Sequence, residues 1–514
     1  MSVFWRHVAA WFPALLLLPT LALCGTPETW IPVRWTGGPL ELERRVKAGG
    51  PSLDGTAHAV IANWYEPTTL DLLRDTPLNC LLVTWSAGAT DEIEQRQWQV
   101  VKAYAGQAHR RGIAVLGMVY PGADPSKFAP AAAEAHLDGL VLEGEFPPGF
   151  AERVTRTAAS GVVIVIARDP GTIRDSSAAV LAAEGVSPSA RNLADMGIRA
   201  APSSEPWIQS NIWLVRSTRF SGPWRPVWIS YEPGHASPVE YARFVADAAV
   251  AGGRWIVTLE DTLRAGMSRR DPGALAAWRR IADSIAFAEA HAEWRGFVPY
   301  GKLGIILDTA AAGEMTDEYL KLVARRQVPY RLIARSQLTA PLLATLRAVL
   351  ATELASPTAA ERKLLTTFAE NGGIVVGGPG WGEIPAGEPN VERPLGKGRL
   401  AIYRDPDPEL IAREMRELLS LKDAGLIAFN VPSVLTYASR DTAGTRLLVQ
   451  LLNYSDSPAT DITLRAAGVF KTARLFMPGS EPVSLANSSE RGETDIAIPK
   501  LPFWGGVLLE GEVP

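Results

Sequence analysis

The chain has 514 residues, with 51 Lys+Arg against 55 Asp+Glu for a net charge of −4. At roughly 150 residues per domain it predicts more than one domain, and its 47% apolar and 21% charged residues exclude a disordered, collagen-like or coiled-coil chain. The slightly acidic balance argues against a nucleic-acid partner, and two Cys with six His exclude a Cys-rich zinc site or a disulfide scaffold.

The first segment reads as a leader. Arg6 and His7 precede an apolar run from Val8 to Leu23 that two prolines interrupt. It falls short of the about 20 residues of a comfortable membrane span. Residues 1–24 are therefore expected to be a signal peptide, giving a secreted or periplasmic protein with no stable membrane span after cleavage. LALCG, ending on Cys24-Gly25, also resembles a lipoprotein box, although Leu23 stands where a small residue is wanted. The other thiol, Cys80, lies in LNCLLVTW and reads as a buried structural cysteine.

Residues 25–54 read as a lead-in. From Ala57 to Asp261, short apolar runs alternate with amphipathic stretches. The runs are AVIANWYEP, LNCLLVTWSAG, GIAVLGMVYPG, LDGLVLEGEF, GVVIVIARDP, PVWISYEP and RWIVTLED. Such Val/Ile/Leu-rich runs, with helical patterns between them, predict buried parallel strands joined by helices. An eighth strand is expected in AAVLAAEG (Ala178 to Gly185), with GIRAAPS as the alternative. Eight strand–helix units over residues 55–297 predict a (β/α)8 TIM barrel. A doubly wound sheet is the alternative, but no Gly-x-Gly-x-x-Gly follows the first run.

A second α/β segment covers residues 298–421, with strands LGIILDT, YRLIARSQ, AVLATELA and IVVGGPGW. Residues 422–514 change character. TRLLVQLLNYS, ATDITLRAAG, TARLFMP, TDIAIPK and GGVLLEGE are short strands between turn residues, as in a β-sandwich.

The order barrel, flavodoxin-like α/β domain, sandwich resembles multidomain glycoside hydrolases of the family 42 β-galactosidase type. LATELASPTAAERKLLTTFAENGGIVVGG and GKGRLAIYRDPDPELIAREMRELLS resemble their glutamine-amidotransferase-like middle domain. LDGLVLEGEF and GIAVLGMVYPG are similar to polygalactosaminidase-like barrels. The resemblance implies hydrolysis of an oligo- or polysaccharide without cofactor or metal, and a middle domain able to make homo-oligomer contacts. Glutaminase chemistry itself is excluded, because no Cys follows Cys80 and no His follows His291.

Barrel active sites form at the C-terminal ends of the strands. Polar and aromatic residues there are Trp64, Trp85, Tyr120, Glu143, Glu145, Arg168, Tyr231, Glu232, Glu260 and Asp261. Carboxylates can move protons and balance an oxocarbenium-like charge, and aromatic rings stack on sugars. The resemblance places an acid/base after strand four and a nucleophile after strand seven, which here are Glu143 and Glu232. With Val141 inward, Glu143 and Glu145 both face the axis, and Glu145 is the second choice for the acid/base. Tyr231 is read as an orienting hydroxyl. Trp64, Trp85, Tyr120, Arg168, Glu260 and Asp261 are read as substrate-binding candidates. Glycosidases of this kind usually have Asn before the strand-four Glu, whereas Leu142 stands here. That departure keeps a second reading open: a catalytically inactive carbohydrate-binding or cell-envelope assembly protein on the same fold. Ser204 and Pro206 predict a helix through Trp207 and Trp213.

Overall fold

The computed structural model describes residues 25–47, 54–158, 161–168, 173, 178–191, 207–222, 224–308 and 314–513. The leader, Cys24 and GIRAAPS lie outside these residues.

Eight parallel strands form one sheet in sequence order: β1 (Pro32–Arg34), β2 (Cys80–Ser86), β3 (Ala114–Val119), β4 (Gly139–Glu143), β5 (Val162–Ala167), β6 (Leu181–Glu184), β7 (Val227–Ser230) and β8 (Arg254–Trp255). The ring closes just past β8. The Arg34 N–H donates to the Val257 carbonyl (2.8 Å), and the Val257 N–H donates to the Pro32 carbonyl (3.1 Å). The fold is a TIM barrel.

Both faces of these strands are buried, which is why the runs are apolar without alternation. Inward side chains include Leu82, Met118, Val141, Ile164 and Trp228, which fill the barrel. Their neighbours Val83, Leu140, Leu142 and Ile229 face the helices and join a separate cluster. Helices begin where the sequence supplies caps. Ser237 accepts from the Glu240 N–H and Glu240 reaches back to the Ser237 N–H, with Pro238 at the first turn.

Two sequence expectations are corrected. AVIANWYEP is not the first strand: Gly55–Asn63 is a helix, capped by the Asp54 side chain on the Ala57 N–H. The first strand lies within the supposed lead-in, opened by Pro32 at the one strand position where a missing N–H costs least. The stretch around Trp207 is not one helix. Trp207–Gln209 pairs antiparallel with Ser189–Arg191, and the helix runs over Ile212–Ser221.

Cys80 is fully buried inside the barrel. Burial, with Asp138 adding to it, pushes its thiol well above the ordinary value. Native protein is therefore expected to leave Cys80 unlabelled by a thiol reagent that labels it fully in denaturant. Peptide mapping checks this, and rapid native labelling would contradict the barrel's packing.

The second unit is an open sheet with Leu303–Leu307 between Tyr330–Ala334 and Ala348–Ala351, followed by Ile374–Gly377 and Gly398–Tyr403 in parallel. Asn390–Leu395 is an antiparallel edge. The last unit stacks two antiparallel sheets. One is built on Val434–Arg440, Arg446–Asn453, Trp504–Glu512 and Val469–Phe476. The other is built on Leu426–Phe429, Ala459–Ala467 and Glu493–Leu501. Among the described residues, no helix is long and apolar enough to cross a membrane.

Candidate active site

The C-terminal rim of the barrel is organised by one arginine that the sequence reading passed over. Arg34 ends β1, and its side chain is only 9% exposed. Its Nη1 donates to Glu143 Oε2 (2.8 Å) and its Nη2 to Glu143 Oε1 (2.6 Å), a bidentate pair. Nη2 also donates to Ser230 Oγ at the end of β7 (2.7 Å), and Nη1 lies 3.5 Å from Glu232 Oε1. Burial works against the Arg34 charge, but Glu143, Glu232 and Tyr120 outweigh it, and its pKa rises above the ordinary arginine value. The residues expected from strands four and seven thus meet at one guanidinium. Glu143 is 22% exposed and Glu232 is 73% exposed.

A second cluster supports the first from the helix Gly38–Lys47. Glu41 is fully buried and accepts from Arg44 (3.0 and 2.8 Å), Arg45 (2.8 Å) and Thr84 Oγ1 (2.9 Å). Burial would raise its pKa, but Arg44 and Arg45 hold it below the usual carboxylate range. Arg45 continues to Asp261 (2.5 Å), which also accepts from Arg264 (3.1 Å). Arg44 lies over the Tyr120 ring at 4.3 Å. Burial pushes the Tyr120 phenol up, so it stays protonated at neutral pH, and its hydroxyl reaches Met118 Sδ at 3.7 Å.

The other candidates separate. Glu145 does not join Glu143, because β4 ends at Glu143 and Gly144 turns the chain at φ 112°. Glu145 is exposed and pairs with Arg168 (2.7 Å), which also pairs with Glu184 (2.7 Å). Trp64 and Trp85 have no face for a sugar. Both are core residues, Trp64 beside Trp35 at 4.7 Å and Trp85 donating its N–H to the Phe128 carbonyl. Tyr231 points away from Glu232 and stacks on Trp255 at 5.5 Å, so it orients nothing at the rim. Among the described residues its buried hydroxyl has no hydrogen-bond partner, and burial pushes it well above the ordinary phenol value. Glu260 pairs with His235 Nδ1 (3.0 Å) and accepts from Tyr241 (3.4 Å). Asp261 is held by its two arginines as described.

Arg34, Glu41, Arg44, Arg45 and Ser230 were missed. Their signals were the inward alternation Pro32, Arg34 in a short run, and the helical spacing of Glu41 with Arg44 and Arg45.

The barrel, its rim carboxylates and the two following units define a TIM-barrel, glycoside hydrolase-like fold. Among solved structures the chain is similar to α-L-fucosidase isoenzyme 2 from Paenibacillus thiaminolyticus, at TM-score 0.56 and 11% identity over 87% of this chain and 96% of that one. It is also similar to the exo-β-1,4-mannosidase Op5Man5 from Opitutaceae bacterium strain TAV5, at TM-score 0.46 and 11% identity, over 76% and 94% of the two chains. The apo exo-carrageenase GH42 from Bacteroides ovatus aligns at TM-score 0.42 and 12% identity, over 94% and 82%. At such identities the likeness is one of fold. No protein-family model matches the chain, and no curated protein does.

Proposed function

We propose that this chain is an exported enzyme that hydrolyses glycosidic bonds of an oligo- or polysaccharide with Glu143 and Glu232. The observation that carries the reading is the convergence of both carboxylates on Arg34 Nη1. Each has an oxygen within 3.5 Å of that nitrogen, so those two oxygens lie no farther apart than twice that distance. The bound admits the roughly 5–5.5 Å of a retaining pair and leaves room for a glycosidic bond between the two groups.

The roles reverse those expected from the sequence. Both Glu143 oxygens accept from Arg34, so a proton there would displace an N–H bond. Each oxygen keeps a further lone pair. Glu143 is therefore the nucleophile: it bonds to the anomeric carbon as the bond to the leaving oxygen breaks. Glu232, exposed and loosely held, gives that oxygen its proton. Water then attacks the glycosyl-enzyme, Glu232 takes its proton, and Glu143 leaves ionised.

Leaving-group dependence tests the assignment. On a panel of nitrophenyl and dinitrophenyl glycosides, Glu232→Gln should lose about 10²–10⁴-fold on the poorer leaving group. It should lose far less on dinitrophenol, which departs without a proton. Glu143→Gln should lose activity on both alike. Undiminished turnover by both variants would remove the pair from the mechanism.

The compensation of rim carboxylates by Arg34, Arg45, Arg168 and Arg264 favours a second reading, sugar binding without turnover. Binding by wild type with no hydrolysis of any glycoside would select it.

A further inference from the structure

Beside the mouth, a cavity of about 260 Å³ lies where all three units meet. The barrel contributes Arg168, Glu184 and the pair Trp207 and Trp213. The second unit contributes Lys321 and Arg325 from the helix Glu314–Arg325, and the sandwich contributes Leu435. A larger cavity, of about 650 Å³, is bordered by Gly55, Asn63 and Arg269 and includes none of the candidate rim residues.

Three features of the smaller cavity point to a ligand. The two indoles are braced from the second unit, with Arg325 at 4.1 Å over Trp207 and Lys321 at 4.7 Å over Trp213. Among the described residues, neither indole N–H has a hydrogen-bond acceptor. The Gln209 amide nitrogen also lacks one, while its oxygen accepts from Ser189 Oγ at 3.4 Å. The cavity also lies one strand from the proposed site. Glu184 stands opposite Ser230 in the β6–β7 register, and the Gly185 N–H donates to the Ser230 carbonyl (2.8 Å). Ser230 is the residue that holds Arg34. Neighbouring strands are about 4.8 Å apart, which puts the cavity within reach of a saccharide that leaves the mouth over β6.

We infer that this cavity is a distal subsite for one uncharged pyranose ring of a longer saccharide, with Trp207 and Trp213 as its apolar walls. The inference rests on the proposed action on saccharides and extends it to chain length. Aromatic faces meet the C–H face of a sugar, and the open N–H donors meet its hydroxyls. An uncharged ring fits because the cations at the wall are engaged: Arg168 by Glu145 and Glu184, Lys321 by Glu318, and Arg325 over Trp207. The second unit, which lacks the residues for glutaminase chemistry, then serves as the outer wall of the subsite.

Calorimetric titration of the full chain tests this. The probes are β-1,4-linked hexasaccharides of glucose, mannose, galactose and N-acetylglucosamine, the four monosaccharides, and a galacturonic acid hexasaccharide. At least one neutral hexasaccharide should bind wild type about tenfold or more tighter than its monosaccharide. That margin should vanish in Trp213→Ala and also in Ala324→Phe, which fills the cavity from the helix side without removing a core ring. Thermal unfolding of both variants verifies that they are folded. Wild-type affinity in a folded Ala324→Phe, no neutral hexasaccharide preferred by wild type, or tighter binding of the galacturonic acid hexamer would each overturn the subsite. The hydrolytic reading fails separately: if glycosides are not turned over but the length-dependent binding obeys the variants, the subsite stands and the proposed mechanism falls.

Discussion

Arg34→Leu is expected to lower kcat/KM on aryl glycosides at least about 100-fold and to cost about 3 kcal/mol of stability, the lower end for breaking a buried ion pair because Glu143 is part-exposed. The side chain is buried and serves Glu143, Glu232 and Ser230 at once. Without it, Glu143 loses both of its guanidinium bonds, and two carboxylates face each other with no cation between them. Like charges in a shared site cannot both stay ionised at little expense. Arg34→Lys separates charge from geometry. An ammonium restores the positive charge but cannot form the planar two-bond clasp on Glu143 while also holding Ser230. It should recover most of the stability and little of the rate. Urea unfolding and steady-state kinetics on the three proteins decide the matter. An Arg34→Leu protein with wild-type kcat and stability would show that Arg34 does not organise the rim.

The parts of this arrangement that the sequence revealed were those written in strand periodicity. The runs containing Leu82, Met118, Val141 and Ile164 are buried on both faces, so their composition announced them. Alternation from Val141 then carried Glu143 inward. The same alternation failed two residues later, because it holds only while the strand lasts and Gly144 turns the chain at φ 112°. β1 was hidden by its brevity and its proline, while the helix Gly55–Asn63 imitated a strand through Ala, Val and Ile. Losing β1 concealed Arg34 and moved Trp64 to a strand end it does not occupy. The burial of Trp64 and Trp85 depends on helices far along the chain, such as the one carrying Arg264, whose guanidinium lies 4.1 Å from the Trp64 ring. A local pattern carries no trace of that partner. Trp207 and Trp213 were visible as residues, but their shared cavity required the second unit to be in place.

The largest stability loss is expected from Asp247→Ala, about 3–5 kcal/mol, and it should uncouple the sandwich from the barrel. Asp247 is fully buried on the helix Pro238–Ala249. It accepts from Ser210 Oγ (2.7 Å), the Asn211 N–H (2.9 Å), Asn211 Nδ2 (2.9 Å) and Tyr454 OH of the sandwich (2.5 Å). Alanine leaves the Asn211 N–H and the Ser210 hydroxyl without this acceptor, at about 1–3 kcal/mol for each left unsatisfied, while Tyr454 OH keeps Ser210 Oγ (2.9 Å) and Asn211 Nδ2 keeps the Val186 carbonyl (2.8 Å). Tyr454→Phe removes one donor while keeping the ring, and should cost about 1 kcal/mol. The pH dependence has a definite sign. Burial raises the Asp247 pKa, and the four hydrogen bonds only partly reverse the shift. The native state therefore binds this proton more tightly than the unfolded chain does. The stabilisation from that proton is complete below the unfolded value of about 3.8 and is lost as pH rises through the raised native value. Asp247→Asn cannot titrate, so its stability curve should lack this fall, although its amide N–H groups face the Asn211 donors and lower stability throughout. Urea unfolding of wild type, Asp247→Ala and Asp247→Asn from pH 3.5 to 8 (about four units from the ordinary carboxylate value) measures each of these effects. Near-UV circular dichroism and limited proteolysis should detect release of the sandwich before the barrel unfolds in Asp247→Ala. One cooperative transition with wild-type stability in that variant would mean that the buried carboxylate does not hold the two units together.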